Sequence, residues 1–488
     1  MNRVFQTNSY RGLHLKKDCP IVMEDTPTYN IHQYVDVVAA QKTKFKSQYR
    51  EEKPRIMSAV QLLMFVILAS TLSLVAPLAN CPSACQCDDD TLVVRCGEGH
   101  LDVLPIALNP SILRLVIKNN KIKTIDSSIQ FYSELGFLDL SYNHLFNIPP
   151  RTFFYQKKLQ ELHLNHNKIG SISNKTFTGL IALTVLNLRG NFLDELSAGV
   201  FSTLPKLEEL NIGQNRIARI DPNAFEGILN LRVLFLDDNT LTSVPSPSFA
   251  HIPSIAELYL DNRLQRIPTA ELSSLLRLED LSLGQNEFVV IPENAFKGLT
   301  NLRRLDITGS LKLTQIQAGA FTTNTNLESI TFASNKVLVE VQEGALSGLP
   351  HLKHVILRDN QLTTLAEGLF PWSELETFDL TENPVTCDCR VVWLRNLLAS
   401  RNISQTQETV VCAAPDALKH QSLKEIREVL KGRYGNSALG RKEREYQKTF
   451  SDEDYMTRNP HPCSLSVHPA LNNYPHHPNI RPIPVTEL

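Results

Sequence analysis

Hydrophobic residues between Ile112 and Pro384 recur in a single spacing. An apolar residue is followed by two spacers, Leu, one spacer, Leu, two spacers, Asn, one spacer and Leu, as residues 159–172 show in LQELHLNHNKIGSI. The spacing begins twelve times, every 23 to 25 residues, at positions 112, 135, 159, 183, 207, 231, 255, 278, 302, 327, 352 and 375. A fixed period in the range of about 20 to 50 residues indicates a solenoid whose units stack on one another.

The Leu-x-Leu part of each unit predicts a short strand with one buried face, because successive strand side chains point to opposite sides. Leu162 and Leu164 are expected to point inward, and His163 between them to point outward on the concave side. The Asn that follows is expected to turn inward, since its short amide can satisfy turn backbone groups that stacking would bury. This position holds Asn120, Asn143, Asn167, Asn191, Asn215, Asn239, Asn286, Asn335, Asn360 and Asn383.

A second apolar column lies eighteen to twenty residues into the units and is expected to fill the convex side of the stack. Each fully buried Leu or Phe contributes roughly 1.5–3 kcal/mol, so a stack of this length has a large core. One unit alone buries neither face, and the ends of the stack therefore need caps. The column contains Phe153, Phe177, Phe201, Phe225, Phe249, Phe296, Phe321 and Phe370, with Leu272 and Leu346 as substitutes.

Both the period and the motif are those of leucine-rich repeats. The predicted fold class is an α/β solenoid, a leucine-rich-repeat horseshoe of about twelve repeats over residues 111–383. Short parallel strands should line its concave face, and cysteine-rich segments should cap its ends.

Three stretches depart from the regular length. One residue is missing between Leu260 and Asn262, and one is added around residues 308–313 and 335–341, where Ser310 replaces the Asn. Such changes are expected in turns, where a loop absorbs them at small entropic cost. They indicate a local kink in the arc, or an error or splice in the transcript.

The N-terminal segments differ from the repeats. The whole chain has 488 residues, a formal net charge of −2 and 42% hydrophobic residues, which indicates no nucleic-acid partner. Residues 1–56 are polar and expected to be disordered, whereas residues 57–79 contain an uncharged apolar run. That run fits a secretory signal peptide cleaved near Ala76 or Ala79, with Met57 as a candidate initiator. The alternative is an uncleaved signal anchor, because about twenty apolar residues can span a membrane. Both options place the repeats outside the cytosol.

Four cysteines lie within residues 80–110, just before the first repeat: Cys81, Cys85, Cys87 and Cys96. In an exported chain this density predicts two disulfides that close the hydrophobic end of the stack, and spacing alone leaves three pairings open. A zinc site is the alternative, which an oxidising compartment disfavours.

Residues 384–425 resemble the C-terminal cap of extracellular leucine-rich-repeat proteins, in which a Trp-containing helix, here around Trp393, covers the last repeat. The fourth cysteine of such a cap does not follow Cys412 at the usual distance, so this cap is incomplete. The likeness to extracellular caps at both ends implies the disulfides Cys81–Cys87, Cys85–Cys96 and Cys387–Cys412. The cysteines left unpaired or uncertain are Cys389, Cys463 and Cys19.

Three stretches outside the regular repeat pattern are distinctive: LVVRCGEGHLDVLP at 92–105, FPWSELETFDLTENPVTCDCRVVWL at 370–394 and NSALGRKEREYQKTFSDEDYM at 436–456. They resemble stretches of one group, the insect Tartan and Capricious cell-surface proteins. In that group a membrane helix separates the C-terminal cap from a cytoplasmic tail that residues 426–488 resemble. Here this polar tail, expected to be disordered, follows the cap directly. We interpret the difference as a segment lost through splicing or an incorrect gene model.

The resemblance implies a non-enzymatic protein-binding module in cell adhesion, recognition or guidance, located at the plasma membrane or outside the cell. The expected partner is an extracellular or cell-surface protein, with contact between like chains as a further option. Membrane association would run through the N-terminal apolar run or through the missing helix. The alternative is a secreted matrix or structural protein, or a receptor decoy that lacks its membrane helix.

The outward positions of the concave strands are the candidate contacts. Phe235 and Tyr259 are neighbours among them, and adjacent exposed aromatic residues are enriched in binding hot spots. The alternative is that neighbouring packing covers them. The predicted partner-binding residues are Asp139, His163, Asn187, Phe235 and Tyr259.

No catalytic, metal or cofactor site is predicted, because the HExxH, GxSxG, phosphate-loop and dinucleotide motifs are missing from the sequence. His144, His163 and His166 come near one another, but solvated surface histidines are more common than a metal site with three or four converging ligands. Sequons at Asn174 and Asn402 are the predicted glycosylation sites.

Overall fold

The structure is a computed structural model that describes residues 81–400 and 409–426. In each repeat three residues form a strand whose central residue, such as Leu162 or Leu186, is buried between two partly exposed neighbours. This is the alternation expected of a strand with one buried face. The predicted N-terminal segments 1–56 and 57–79, and the tail beyond residue 426, lie outside the described residues. The same is true of Cys19, Cys463 and Asn402.

The strands within the described residues are β1 (Cys85–Asp88), β2 (Val93–Cys96), β3 (Arg114–Val116), β4 (Phe137–Asp139), β5 (Glu161–His163), β6 (Val185–Asn187), β7 (Glu195–Leu196), β8 (Glu209–Asn211), β9 (Arg219–Ile220), β10 (Val233–Phe235), β11 (Glu257–Tyr259), β12 (Asp280–Ser282), β13 (Val290–Ile291), β14 (Arg304–Asp306), β15 (Gln315–Ile316), β16 (Ser329–Thr331), β17 (Glu340–Val341), β18 (His354–Ile356), β19 (Thr377–Asp379), β20 (Val385–Thr386) and β21 (Cys412–Ala414). Fourteen of them form one sheet in the order β1-β2-β3-β4-β5-β6-β8-β10-β11-β12-β14-β16-β18-β19. After the antiparallel pair β1–β2, one strand per repeat continues the sheet in parallel. The predicted leucine-rich-repeat solenoid is confirmed.

Short elements complete the described part of the chain. The second sheet joins β13, β15 and β17, and two-stranded sheets join β7 to β9 and β20 to β21. The α-helices are α1 (Thr269–Leu272) and α2 (Val392–Ser400). The 3-10 helices are Ser127–Phe131, Ser248–His251, Glu367–Leu369, Trp372–Glu374, Cys389–Val391, Asp416–Leu418 and Leu423–Glu425.

The inward turn of the repeat asparagines is confirmed, and all ten predicted positions are buried. Asn167 shows the pattern, because its Nδ2 donates to the carbonyl oxygens of Leu140 and Leu164, both at 3.0 Å. Its Oδ1 accepts from the backbone N–H of Leu145 at 3.0 Å. One amide therefore satisfies backbone groups of two successive repeats, which stacking would otherwise leave unpaired and buried.

The length defects change this ladder of amides in different ways. In the short repeat, Asn262 still donates to the carbonyl oxygen of Leu236 at 2.9 Å and accepts from the N–H of Leu241 at 3.3 Å. In the lengthened repeat Ser310 is fully buried, and its hydroxyl has no hydrogen-bond partner among the described residues. Its backbone N–H donates to Asn335 Oδ1 at 2.8 Å, and Asn335 Nδ2 donates to the carbonyl oxygen of Ile307 at 2.9 Å, so the amide of the next repeat serves backbone groups of this one.

The second apolar column fills the convex side as predicted, and its phenylalanine rings are buried. Rings of successive repeats lie nearly parallel, with Phe177–Phe201 centroids 6.3 Å apart and Phe201–Phe225 centroids 6.4 Å apart. Leu272 and Leu346, the substitutes, are buried as well. The in-register stacking of one residue type gives a continuous core.

The hairpin of β1 and β2 covers the first repeat. Strand β2 pairs in parallel with β3, which places Val94 beside Leu115. The disulfides Cys81–Cys87 and Cys85–Cys96 brace the hairpin, and these are the pairings that the resemblance implies. The hydrophobic end of the stack is thereby shielded from water.

Helix α2 covers the last repeat. Its own Leu394 is buried, and its Trp393 stacks on Trp372 with ring centroids 5.5 Å apart. A disulfide joins Cys387 to Cys412. Cys389, left uncertain by the sequence, is itself disulfide-bonded. This bond could not be assigned from the sequence, because no cysteine follows Cys412 at the spacing of the family. No helix in the described part of the chain combines the length and the apolar character needed to cross a membrane.

Candidate functional site

The five predicted contact residues occupy the same position of five strands on the concave sheet, and all are partly exposed. Parallel pairing in register places Asp139 beside His163 and Phe235 beside Tyr259. Asn187 lies on β6, two strands away from Phe235 in the sheet. The pairing of β5 with β6 places Asn187 beside His163, so the structure brings together a run of three residues and an aromatic pair, with β8 between them, rather than one cluster of five.

The pair in the middle of the sheet is aromatic. The rings of Phe235 and Tyr259 are stacked, with centroids 4.5 Å apart and planes 12° apart. The Tyr259 hydroxyl donates to Glu257 Oε2 at 3.2 Å. Partial burial raises the pKa of Tyr259, and the Glu257 carboxylate raises it further. The hydroxyl thus stays protonated and is held at one place on the concave surface.

Next to the aromatic pair, the turns that follow the strands of the short repeat and its neighbours line a recess. Asp261, Asn262, Ser282, Asp306 and Thr308 are among its lining residues. Sequence reasoning missed this recess, although its signal was the residue missing between Leu260 and Asn262. A missing turn residue shows that a loop is shorter but gives no sign of which side chains then face the gap.

Asp261 is the central acid of the recess. Both of its carboxylate oxygens accept from the Ser282 hydroxyl at 2.9 Å. Burial raises the pKa of Asp261 to about 6, although the hydrogen bond from Ser282 opposes this rise. The charges of Asp237 and Asp306 act in the same direction as burial. Three carboxyl groups thus share a small region of the concave face, and their mutual repulsion favours a positively charged neighbour.

Two glycines make room for these acids. A Cβ atom on Gly284 would lie 2.5 Å from both Asp261 Oδ1 and the carbonyl oxygen of Thr308. A Cβ on Gly213 would collide in the same way with Arg189 and Asp237. Arg189 donates to Asp237 at 2.7 Å and to Asp238 at 3.2 Å, so one guanidinium neutralises part of the acidic region.

Two of the three histidines considered for a metal site have other side-chain contacts, and the third, His144, is exposed. His166 stacks on Tyr142 with centroids 4.4 Å apart, and His163 lies 5.1 Å from the Phe137 ring. His163 Nε2 is 3.4 Å from Glu161 Oε2. Among the described residues no group of three or more His, Cys, Asp or Glu side chains is arranged to hold a metal ion.

The predicted glycan acceptor Asn174 is exposed in the segment that follows β5. Its sequon threonine, Thr176, is buried and accepts from the backbone N–H of Ser173 at 2.8 Å. A glycan on Asn174 would extend into solvent without displacing the concave strands.

Comparison with known proteins agrees with this architecture. The leucine rich repeat family profile matches residues 133–193, 157–217, 181–241, 205–262, 261–311 and 300–362. Human reticulon-4 receptor-like 2 is 34% identical over 135 residues, which are 28% of this chain and 31% of that protein. Mouse Tsukushi is 30% identical over 135 residues, which are 25% of this chain and 38% of that protein. The chain thus spans roughly a third of the length of these curated relatives.

Among solved structures, the Drosophila Toll–Spatzle complex superposes with a TM-score of 0.51 at 18% identity, over 68% of this chain and 54% of that chain. This likeness shows the fold. Together with the profile matches, it identifies these repeats as leucine-rich repeats.

Proposed function

We propose that this leucine-rich-repeat protein is a non-enzymatic recognition protein whose concave face binds another protein at the cell surface or outside the cell. The observation that carries the proposal is the stacked pair Phe235–Tyr259 in the middle of the sheet, beside the recess around Asp261. Stacked aromatic rings offer a rigid contact area that loses little conformational entropy on binding.

The charges around the pair define the chemistry of the partner. Asp237 and Asp306 both lie close enough to act on Asp261, whereas Arg189 pairs with only the first of these three acids among the described residues. A partner segment that presents a basic side chain beside an apolar one would match both the acids and the rings. Such complementarity gives specificity and faster association.

The biological role proposed is adhesion, recognition or guidance between cells, as the resemblance to the Tartan and Capricious proteins implies. One curated relative is named as receptor-like, which supports a role in binding at the cell surface. We also propose that the chain enters the secretory pathway through residues 57–79. It would then be released, or be retained by that apolar run or by a membrane helix of a longer form.

The double substitution Phe235→Ala/Tyr259→Ala tests the concave face. The secreted chain and its variant would be applied to a panel of extracellular domains, and binding would be measured by surface plasmon resonance. We expect the dissociation constant to increase about tenfold or more, since aromatic hot-spot residues each contribute on the order of 2 kcal/mol.

A matched control exists outside the concave sheet. Phe154 and Tyr155 are also an exposed pair in ring contact, with centroids 5.3 Å apart. Phe154→Ala/Tyr155→Ala should bind like the wild type. Unchanged binding by the concave variant would remove this patch as the recognition site.

A further inference from the structure

Beyond the concave face, the rim of the sheet carries a regular row of charges. We define the lip row as the residues immediately before five successive strands, β8, β10, β11, β12 and β14: Glu208, Arg232, Ala256, Glu279 and Arg303. Each backbone N–H donates to the carbonyl oxygen of the preceding member, at 2.7, 2.8, 2.9 and 2.8 Å, so the row is continuous. The four charged members are exposed, and their signs run negative, positive, neutral, negative, positive.

A second row lies three residues earlier in each repeat and is mostly apolar. It contains Pro205, Leu229, Pro253, Leu276 and Thr300, all exposed. Leu229 and Leu276 are 60% and 59% exposed, which is unusual for large aliphatic side chains placed one repeat on either side of a proline. Exposed apolar groups bordered by charges are typical of protein-binding surfaces.

We propose that this rim is a contact surface for a second copy of the same chain. The proposed two-fold axis lies in the plane of contact and passes through Pro253 and Ala256. It makes the two copies run in opposite directions, so each row of one copy lies against the same row of the other. Arg232 of one copy then faces Glu279 of the other, and Glu208 faces Arg303. Leu229 faces Leu276 under the same operation.

The small residues on the axis permit this approach. Ala256 and Ser254 form the floor of a recess bordered by Arg232, Arg277 and Glu279. Two copies can therefore come close at the axis, while long charged side chains on either side reach across. Since adjacent strands lie about 4.8 Å apart, the five repeats form a patch about 20 Å long. A patch of this size favours a weak, transient dimer.

Ion pairs within the chain already engage part of the rim. Arg303 lies 2.8 Å from Glu328 and 3.6 Å from Glu279, and Lys353 lies 3.0 Å from Glu376. Exposed pairs of this kind contribute little in water, so Glu279 and Arg303 can still face the other copy. Glu208 and Arg232 have no ion-pair partner within the described residues. An axis at Ala256 places both of these charges against opposite charges of the second copy. It also places Leu229 of one copy against Leu276 of the other.

Charge-reversal substitutions, with dimerisation measured in solution, test the proposed arrangement of the two copies. Sedimentation velocity of the full chain should show an equilibrium of monomer and dimer that shifts with concentration. Arg232→Glu places like charges at both symmetry-related contacts with Glu279, and Glu279→Arg does the same with Arg232. Each variant alone should therefore dimerise about tenfold more weakly or worse, because like charges in contact oppose association.

A mixture of the two variants is the decisive sample. In a mixed dimer both contacts again join opposite charges, so dimerisation should return towards the wild-type strength. Lys353→Glu, in the same rim but outside the patch, serves as the control and should leave the dimer unchanged. A wild-type chain that stays monomeric at every concentration, or variants that fail to rescue each other, would overturn the proposal. Phe235→Ala/Tyr259→Ala should leave dimerisation intact, which separates this inference from the proposed concave-face function.

Discussion

Asn262 donates a hydrogen bond from its Nδ2 to the carbonyl oxygen of Leu236 in the preceding repeat, at 2.9 Å, although its own repeat is one residue short. The ladder of amides therefore continues through the defect, and the recess lined by Asp261 and Asn262 lies at the same turn. A shortened turn is thus compatible with the buried hydrogen bonds that connect successive repeats.

Asn167→Ala should destabilise the solenoid, because it leaves the carbonyl oxygens of Leu140 and Leu164 and the N–H of Leu145 without this partner. We expect the free energy of unfolding to fall by about 2–4 kcal/mol, at about 1 kcal/mol per hydrogen bond plus the cost of burying unpaired groups. Urea denaturation followed by circular dichroism measures it. Asn165→Ala, at a partly exposed position two residues earlier, should change little; equal losses in both variants would contradict the role of the buried amide.

Gly284→Ala should strain the recess, since the added Cβ would lie 2.5 Å from Asp261 Oδ1 and from the carbonyl oxygen of Thr308. Overpacking of this kind costs about 1–3 kcal/mol. The matched control is Gly170→Ala, where a Cβ would meet nothing within 4 Å. A lower thermal midpoint for the first variant alone is expected, and indistinguishable midpoints would show that the backbone at Gly284 has room to move.

Stability should depend on pH through Asp261, because burial raises the pKa of this carboxyl from 3.8 to about 6. The folded state then holds the proton more tightly than the unfolded chain does. The contribution of protonated Asp261 to the free energy of unfolding is therefore complete below about pH 4, and it is lost as the pH rises through about 6.

Asp261→Asn abolishes this titration and keeps an acceptor for Ser282. The variant should be more stable than the wild type at about pH 7.5, by up to about 3 kcal/mol, and the difference should vanish near pH 4. Denaturation across this range measures it, with Asp102→Asn at an exposed position as the control. A difference that stays constant with pH would refute the assignment.

Expression of the chain in insect cells should yield a glycosylated product in the medium that begins near residue 80. Removal of N-glycans should increase its mobility on a gel, and Asn174→Gln should abolish part of that shift. Edman sequencing of the product distinguishes a cleaved signal peptide from an anchor. A product retained on cells with residues 57–79 intact would show an anchor, and the same mobility with and without Asn174 would show that this sequon is unused.

Much of the fold was predictable because its determinants are local and periodic. The spacing of Leu162 and Leu164 predicts a strand with one buried face, and Asn167 and Phe177 recur at fixed offsets from it. Each repeat has the same spacing of buried residues, so neighbouring repeats stack in register. The pairing of Phe235 with Tyr259 follows from the same register.

The sequence by itself therefore determined the solenoid, the strand in every repeat, and the buried amide and phenylalanine columns. Only the tertiary structure decided which acids meet around Asp261, that Cys389 is disulfide-bonded, and that Arg232 and Glu279 lie symmetrically about Ala256. These relationships join residues from different repeats through turns of irregular length and through side-chain packing. Their geometry depends on the stacked backbone as a whole, whereas a periodic pattern specifies only what each repeat does alone.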